Sequence, residues 1–234
     1  MGAMQQDVLS EIVEGRIWAS ERPVWFSGVR LRARTSVIRL DDGRLLVHSP
    51  AASDGLVKQM MDLGEVSWLV VPNCFHHLGT PAAAAAFPDA KILGPRSAAA
   101  KNPALRIDVD IHESKFMEEV PEFALFPLDG VPFLDETLLY HRPTETLFGA
   151  DVVLRADDND HWSWRFAARI TGCFKRVRVS PDVKKKVADK EAASRSLQAL
   201  QAVPIKRLIV AHGAVIDEAP LAQLVEAWRL VGVG

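Results

Sequence analysis

Val66-Ser67-Trp68-Leu69-Val70-Val71-Pro72-Asn73-Cys74-Phe75-His76-His77-Leu78-Gly79 begins as a buried strand and turns abruptly polar. Val66 to Val71 is a short, nearly unbroken apolar run, the length of a strand covered on both faces, and Pro72, with no N–H to give, ends it. Two adjacent histidines follow. On a regular strand they would point to opposite faces, whereas in a turn one or both can supply an imidazole to a single site. The carboxyl end of a strand, just before a helix, is where α/β folds place their ligands. The helix is predicted over Pro81 to Ala86, with Pro in its first turn, and Phe87-Pro88-Asp89-Ala90 stops it before the short strand Lys91-Ile92-Leu93.

Upstream, the period changes. Leu56, Met60, Met61 and Leu63 are spaced for one helical face, so Val66–Val71 closes a strand–helix–strand unit. Before it, Ile17-Trp18-Ala19, Val24-Trp25-Phe26 and Leu31 to Leu40 read as strands, with Arg30, Arg32 and Arg34 alternating against apolar neighbours as on half-buried strands. Asp41-Asp42-Gly43 is a turn, and Arg44 to His48 returns as the next strand, giving an antiparallel meander. Downstream, strands are expected at Phe123–Leu128, Glu136–His141, Thr146–Phe148 and Arg207–Val210, with helices around Lys184–Ala202 and Leu221–Leu230. Asp157 to Trp164 reads as a long exposed loop, and Trp162, Trp164 and Phe166 as a half-buried extended segment. Two mixed halves suggest a four-layer α/β/β/α sandwich, taken as one domain over 1–234. Residues 1–6, with the doubled Met of Met1-Gly2-Ala3-Met4, are expected to be disordered or an expression remnant.

The composition is that of a globular protein: 48% of 234 residues are apolar and 25% charged. A formal charge of -2 argues against nucleic-acid binding. No apolar stretch approaches the 18 or so residues of a membrane span, so no membrane partner is expected; lacking a signal peptide, the chain is read as cytoplasmic. Cys74 and Cys173 form no CxxC pair, so any metal must be held chiefly by His and carboxylate. Dinucleotide, P-loop, nucleophile-elbow and HExxH signatures are absent.

Two further strand ends carry chemistry. Thr146-Leu147-Phe148-Gly149-Ala150-Asp151 runs from an apolar strand into a lone carboxylate, an expensive group to bury unless paired or bound to a cation. Leu208-Ile209-Val210-Ala211-His212-Gly213 is another buried strand ending in histidine. His, Asp and His thus stand at three strand ends.

In this arrangement the chain resembles the metallo-β-lactamase fold superfamily, in particular a divergent branch catalogued as a domain of unknown function. The resemblance runs from the opening meander through Pro72–His77, Thr146–Asp151 and Val210–Gly213. The superfamily's first motif is HxHxDH. Setting its last His on His77 places Pro72, Cys74 and His76 where two histidines and an aspartate would stand. The next family ligand, a His, would fall within Leu128–Pro132, where there is none. One metal position therefore looks dismantled. The other is implied to comprise His76, His77, Asp151 and His212, with Asp151 and His77 as the catalytic pair. Cys74 could add a ligand, although a small core residue is the commoner role for such a cysteine, and Asp129 could replace the missing His.

The resemblance thus implies one Zn or Fe ion per chain, whose bound water falls to a pKa of ~7 and attacks an ester, lactone, amide or phosphoester of a small-molecule substrate. The alternative is a catalytically inactive protein of this fold, without metal, serving binding or scaffolding. His48, His112 and His141 are read as surface or edge residues, His161 as a loop residue, and Lys184-Lys185-Lys186 as a solvated helix face.

Overall fold

The computed structural model describes residues 8–113 and 115–234; the expectation for residues 1–6 lies outside them. The meander forms as β1 (Ser10–Val13), β2 (Ile17–Phe26), β3 (Val29–Arg39) and β4 (Leu45–His48), each antiparallel to the last. The segments 17–19 and 24–26 prove to be one continuous strand, because Glu21 to Pro23 keep their register with Arg34 to Arg32 on β3. After α1 (Asp54–Leu63), β5 (Val66–Val70) joins parallel to β4. Next come α2 (Thr80–Ala86), β6 (Lys91–Gly94), α3 (Arg96–Lys101) and β7 (Val109–Asp110), which extend a seven-stranded sheet in sequence order.

Past α4 (Lys115–Glu119), a second sheet in the order β11-β10-β9-β8 is built from β8 (Phe123–Pro127), β9 (Thr137–His141), β10 (Thr146–Phe148) and β11 (Arg207–Ile209). α5 (Trp162–Thr171), α6 (Pro181–Lys185), α7 (Lys190–Ala199) and α8 (Pro220–Arg229) complete the chain.

Strand alternation builds the layers. Ile38, Leu46, Trp68 and Val70 face Phe123, Leu139, Phe148 and Ile209 in the core between the sheets. Their neighbours Val37, Leu45, Val47 and Leu69 point the other way, onto Leu56 and Met60 of α1 and Ala83 of α2. On the far side Leu138, Tyr140, Leu147 and Leu208 meet Leu197 of α7 and Leu224 and Trp228 of α8. Period two in the strands thus sorts the apolar residues into three main cores between four layers, with a smaller cluster around Trp164 beside them.

Two further elements differ from the sequence expectation. The segment from Trp162 is helical, because the His161 side chain accepts from Ser163 N and caps α5, and Gly172 ends it in the left-handed region. The expected helix over Lys184–Ala202 is broken in two. Ala188 N and Asp189 N turn aside to the Gly130 carbonyl, and the Asp189 carboxylate then caps α7 afresh at Glu191 N and Ala192 N.

A candidate metal centre at three strand ends

β5 ends in a turn tied to the other sheet. Thr137 N donates to Pro72 O and Cys74 N to Leu134 O. Within the turn the Asn73 side-chain oxygen accepts from Phe75 N and His76 N, both at 2.9 Å, an Asx turn that rolls the chain over. This turn brings His76 to Asp151 and leaves the next ring aimed elsewhere.

Asp151 follows β10. Glu136, fully buried, receives the turn: its carboxylate accepts from Ala150 N at 2.7 Å, Asp151 N at 2.9 Å and Val152 N at 3.3 Å. Gly149 makes room, since a Cβ there would lie 2.8 Å from both Leu138 and Val152 side chains. The Asn73 amide donates to Glu136 at 3.0 Å and to Asp151 Oδ2 at 2.9 Å, linking the two strand ends.

His212 follows β11. Arg34, buried on β3, donates to the carbonyls of Val210 and Gly213 and pairs with Glu21, so the guanidinium clamps the turn on both sides of His212. His212 Nδ1 lies 2.8 Å from the Arg32 carbonyl. A carbonyl only accepts, so Nδ1 carries a proton, and in the neutral ring that burial favours Nε2 keeps its lone pair.

His76, Asp151 and His212 therefore converge. One donor atom from each lies within 4.8 Å of the others; among the described residues this is the group that meets the geometry of a metal site. His76 Nε2 is 3.3 Å from Asp151 Oδ2, and His212 Nε2 is 3.6 Å from Asp151 Oδ1. Burial opposes charge on His76, but Asp151 outweighs it and raises the imidazole pKa. Burial likewise works to raise Asp151, yet His76, His212 and Asn73 hold it well below the usual carboxylate range. Burial, with the charge of Asp151, pushes Glu136 up, and burial pushes His212 down.

The other candidates stand apart. His77 is not in the group; its Nδ1 is 3.5 Å from Asn102 Nδ2, and burial and Lys101 lower its pKa. Cys74 is buried with Sγ 3.3 Å from the Phe133 carbonyl and 2.9 Å from Lys101 Nζ, and burial raises its thiol pKa. Asp129 is exposed, with its backbone N–H on Ser196 Oγ. His112 is exposed as expected, but His48 and His141 are buried, stacked near Phe148 and Phe123.

Sequence reasoning gave no role to Asn73, Glu136, Ser49 or Arg34. Ser49 Oγ is 3.2 Å from His76 Nδ1. Arg34 was legible only as one of three alternating arginines, and the residue it serves is 178 positions away, so no local pattern could signal it. A cleft of about 600 Å³ covers the group, walled by Trp25, Leu31, Phe75, Phe133, Leu154 and Trp164.

No family model matches the chain, and no curated protein matches it in sequence. Solved structures match it over nearly all its length. A metallo-β-lactamase from Pontibacter korlensis has 14% identity and a TM-score of 0.64, covering 95% of this chain and 98% of that one. One from Erythrobacter litoralis, with β-mercaptoethanol in its active site, has 12% identity and a TM-score of 0.70 over 97% and 98%. FIM-1 from Pseudomonas aeruginosa, in its mono-zinc form, has 12% identity and a TM-score of 0.66 over 99% and 100%. With two sheets packed face to face between helical layers, and this likeness from end to end, the chain has the metallo-β-lactamase fold.

Proposed function

We propose that the protein is a hydrolase dependent on one divalent ion held by His76, Asp151 and His212. The observation that carries this is the pairing of His212 with Asp151. A lone pair on Nε2 and a carboxylate oxygen face each other at 3.6 Å with the imidazole proton committed to the Arg32 carbonyl. With the ring neutral, that contact is repulsive unless a cation lies between. Donor atoms on a tetrahedral ion with bonds of 2.0–2.1 Å stand about 3.3 Å apart, close to both distances here. Two imidazoles and one carboxylate suit Zn²⁺ or Fe²⁺ and leave coordination positions open.

A divalent ion in that position would supply Lewis-acid activation of water and polarisation of a substrate oxygen. The chain does the rest. Arg34 and the Arg32 carbonyl hold His212, Ser49 abuts His76, and Asn73 with Glu136 fixes Asp151, so the donors are placed before substrate arrives. The aromatic and aliphatic walls of the cleft fit an apolar body attached to an ester, lactone, amide or phosphoester.

The test is elemental mass spectrometry on untagged protein purified without chelator. About one Zn or Fe per chain is expected in the wild type, little in Asp151→Ala or His212→Ala, and an unchanged content in His77→Ala. Absence of metal from the folded wild type after reconstitution overturns the reading and leaves a metal-free binding or scaffold protein of this fold.

A further inference from the structure

α5 is apolar on both sides. Its inner face, Trp164 and Ala168, packs with Leu31 and Ala156 in a small core beside the cleft. Its outer face carries Trp162, Phe166 and Ile170 at intervals of four, and these are 70, 64 and 73% exposed. A contiguous exposed apolar stripe rimmed by polar side chains marks an interaction surface. The tip of the β2–β3 hairpin extends the same surface: Trp25 and Phe26 are 69 and 60% exposed, the Trp25 ring stands 6.1 Å from His161, and Arg30 N donates to Ser163 Oγ. Trp25, Phe26, Trp164 and Ala167 also line the cleft, so the exposed surface is continuous with its mouth.

Charge identifies the occupant. From His161 to Pro181 the chain carries Arg165, Arg169, Lys175, Arg176 and Arg178 and no Asp or Glu, in a protein whose formal charge is -2. The acids of the adjoining loop are already engaged, Asp158 by Lys175 and Asp157 and Asp160 by Arg32. Arg165 and Arg169 of α5 therefore flank an exposed stripe of Trp, Phe and Ile. A second copy of the chain on a two-fold axis would bring this patch against itself, arginine facing arginine. A nucleic acid would use the aromatic rings but gain little from Ile170. An anionic lipid interface satisfies both features, taking apolar side chains at the headgroup boundary and pairing its phosphates with arginine.

We propose that the outer face of α5 and the β2–β3 tip form a peripheral docking surface for anionic membranes, which sets the mouth of the cleft at the lipid interface. This departs from the expectation of no membrane partner, which rested on the lack of a spanning segment. No helix among the described residues is long and apolar enough to cross a membrane, and docking of this kind needs none. The proposal is independent of the metal.

The test is flotation of the full chain with phosphatidylcholine vesicles, with or without 30% phosphatidylglycerol, at low and high salt. Binding is expected to the anionic vesicles, weakened by salt, with a blue shift of tryptophan fluorescence. Arg165→Glu/Arg169→Glu is expected to weaken it at least tenfold, as the loss of roughly 1 kcal/mol per basic residue requires. Trp162→Ala/Phe166→Ala is expected to weaken binding and to reduce the fluorescence shift, leaving the part contributed by Trp25. Unchanged thermal melts show that these exposed substitutions leave the fold intact. Lack of vesicle binding, equal binding to neutral vesicles, binding only to a single-stranded oligonucleotide, or micromolar self-association abolished by the same variants would each overturn the proposal.

Discussion

Glu136 shows how much one buried side chain can fix. One oxygen takes Ala150 N and Val152 N, and the other takes Asp151 N and the Asn73 amide. Glu136→Gln keeps the shape but sets an amide N–H₂ against at least one of these donor pairs. It is expected to cost about 1–3 kcal/mol in urea unfolding. The same change frees the Asp151 turn and weakens metal uptake in a chelator-competition titration, although Glu136 is not a ligand. The carboxylate–amide link from Glu136 through Asn73 to Asp151 was not visible in the sequence, where Glu136 reads as the polar first residue of a hairpin strand. Asp151 and His212 were visible as candidates because an acid and a histidine at the ends of apolar strands break a clear pattern. The sequence reading placed both His76 and His77 with them, and of the two only His76 joins the group. The Asx turn at Asn73 decides that, and it depends on where the Asn73 amide finds its partners.

At the scale of elements, the site is a product of strand termini and the turns that follow them. The turn after β11 passes so close to the chain that a Cβ on Gly213, at φ +119°, would lie 1.9 Å from the Arg155 carbonyl. Gly213→Ala is expected to cost at least about 2 kcal/mol, because both the backbone conformation and the space exclude it. It should also lower metal content by displacing His212, and a thermal melt with elemental analysis of the same sample checks both. Strands were read well from the sequence because their alternation is set by the two cores they separate. α5 was not, because Trp162-Ser163-Trp164-Arg165-Phe166 alternates like a strand while its helix is fixed by the His161 cap and by burial of Trp164 and Ala168.

At the scale of the molecule, burial of two histidines makes the fold sensitive to acid. Burial brings the His48 pKa down to about 3, aided by His76, and that of His141 to about 4, aided by Arg16. Both lie below the value near 6.5 of an unfolded chain, so the unfolded state binds the extra protons. Their contribution is complete above pH 6.5 and is lost as pH falls through 4 and then 3. For His141 the loss is on the order of 3 kcal/mol. Urea midpoints should fall steadily between pH 7 and 4. His141→Asn, which keeps a donor near Thr144 Oγ1, should flatten that slope. Equal slopes for variant and wild type would refute the assignment. The sequence offered no sign of this burial, since a histidine at the end of an apolar strand is as compatible with a sheet edge as with the space between two sheets.

What the sequence determined by itself is the alternation of strands and helices, the four layers and the three strand ends that carry His, Asp and His. These follow from local periodicity and from the cost of leaving a polar group at the end of an apolar run. Only the tertiary structure decided which donors meet, that Arg34 and Glu136 hold them, and that α5 exposes an apolar, arginine-flanked face. Each of those depends on residues brought together from distant parts of the chain, where contact is set by the packing of the two sheets and not by any pattern along the backbone.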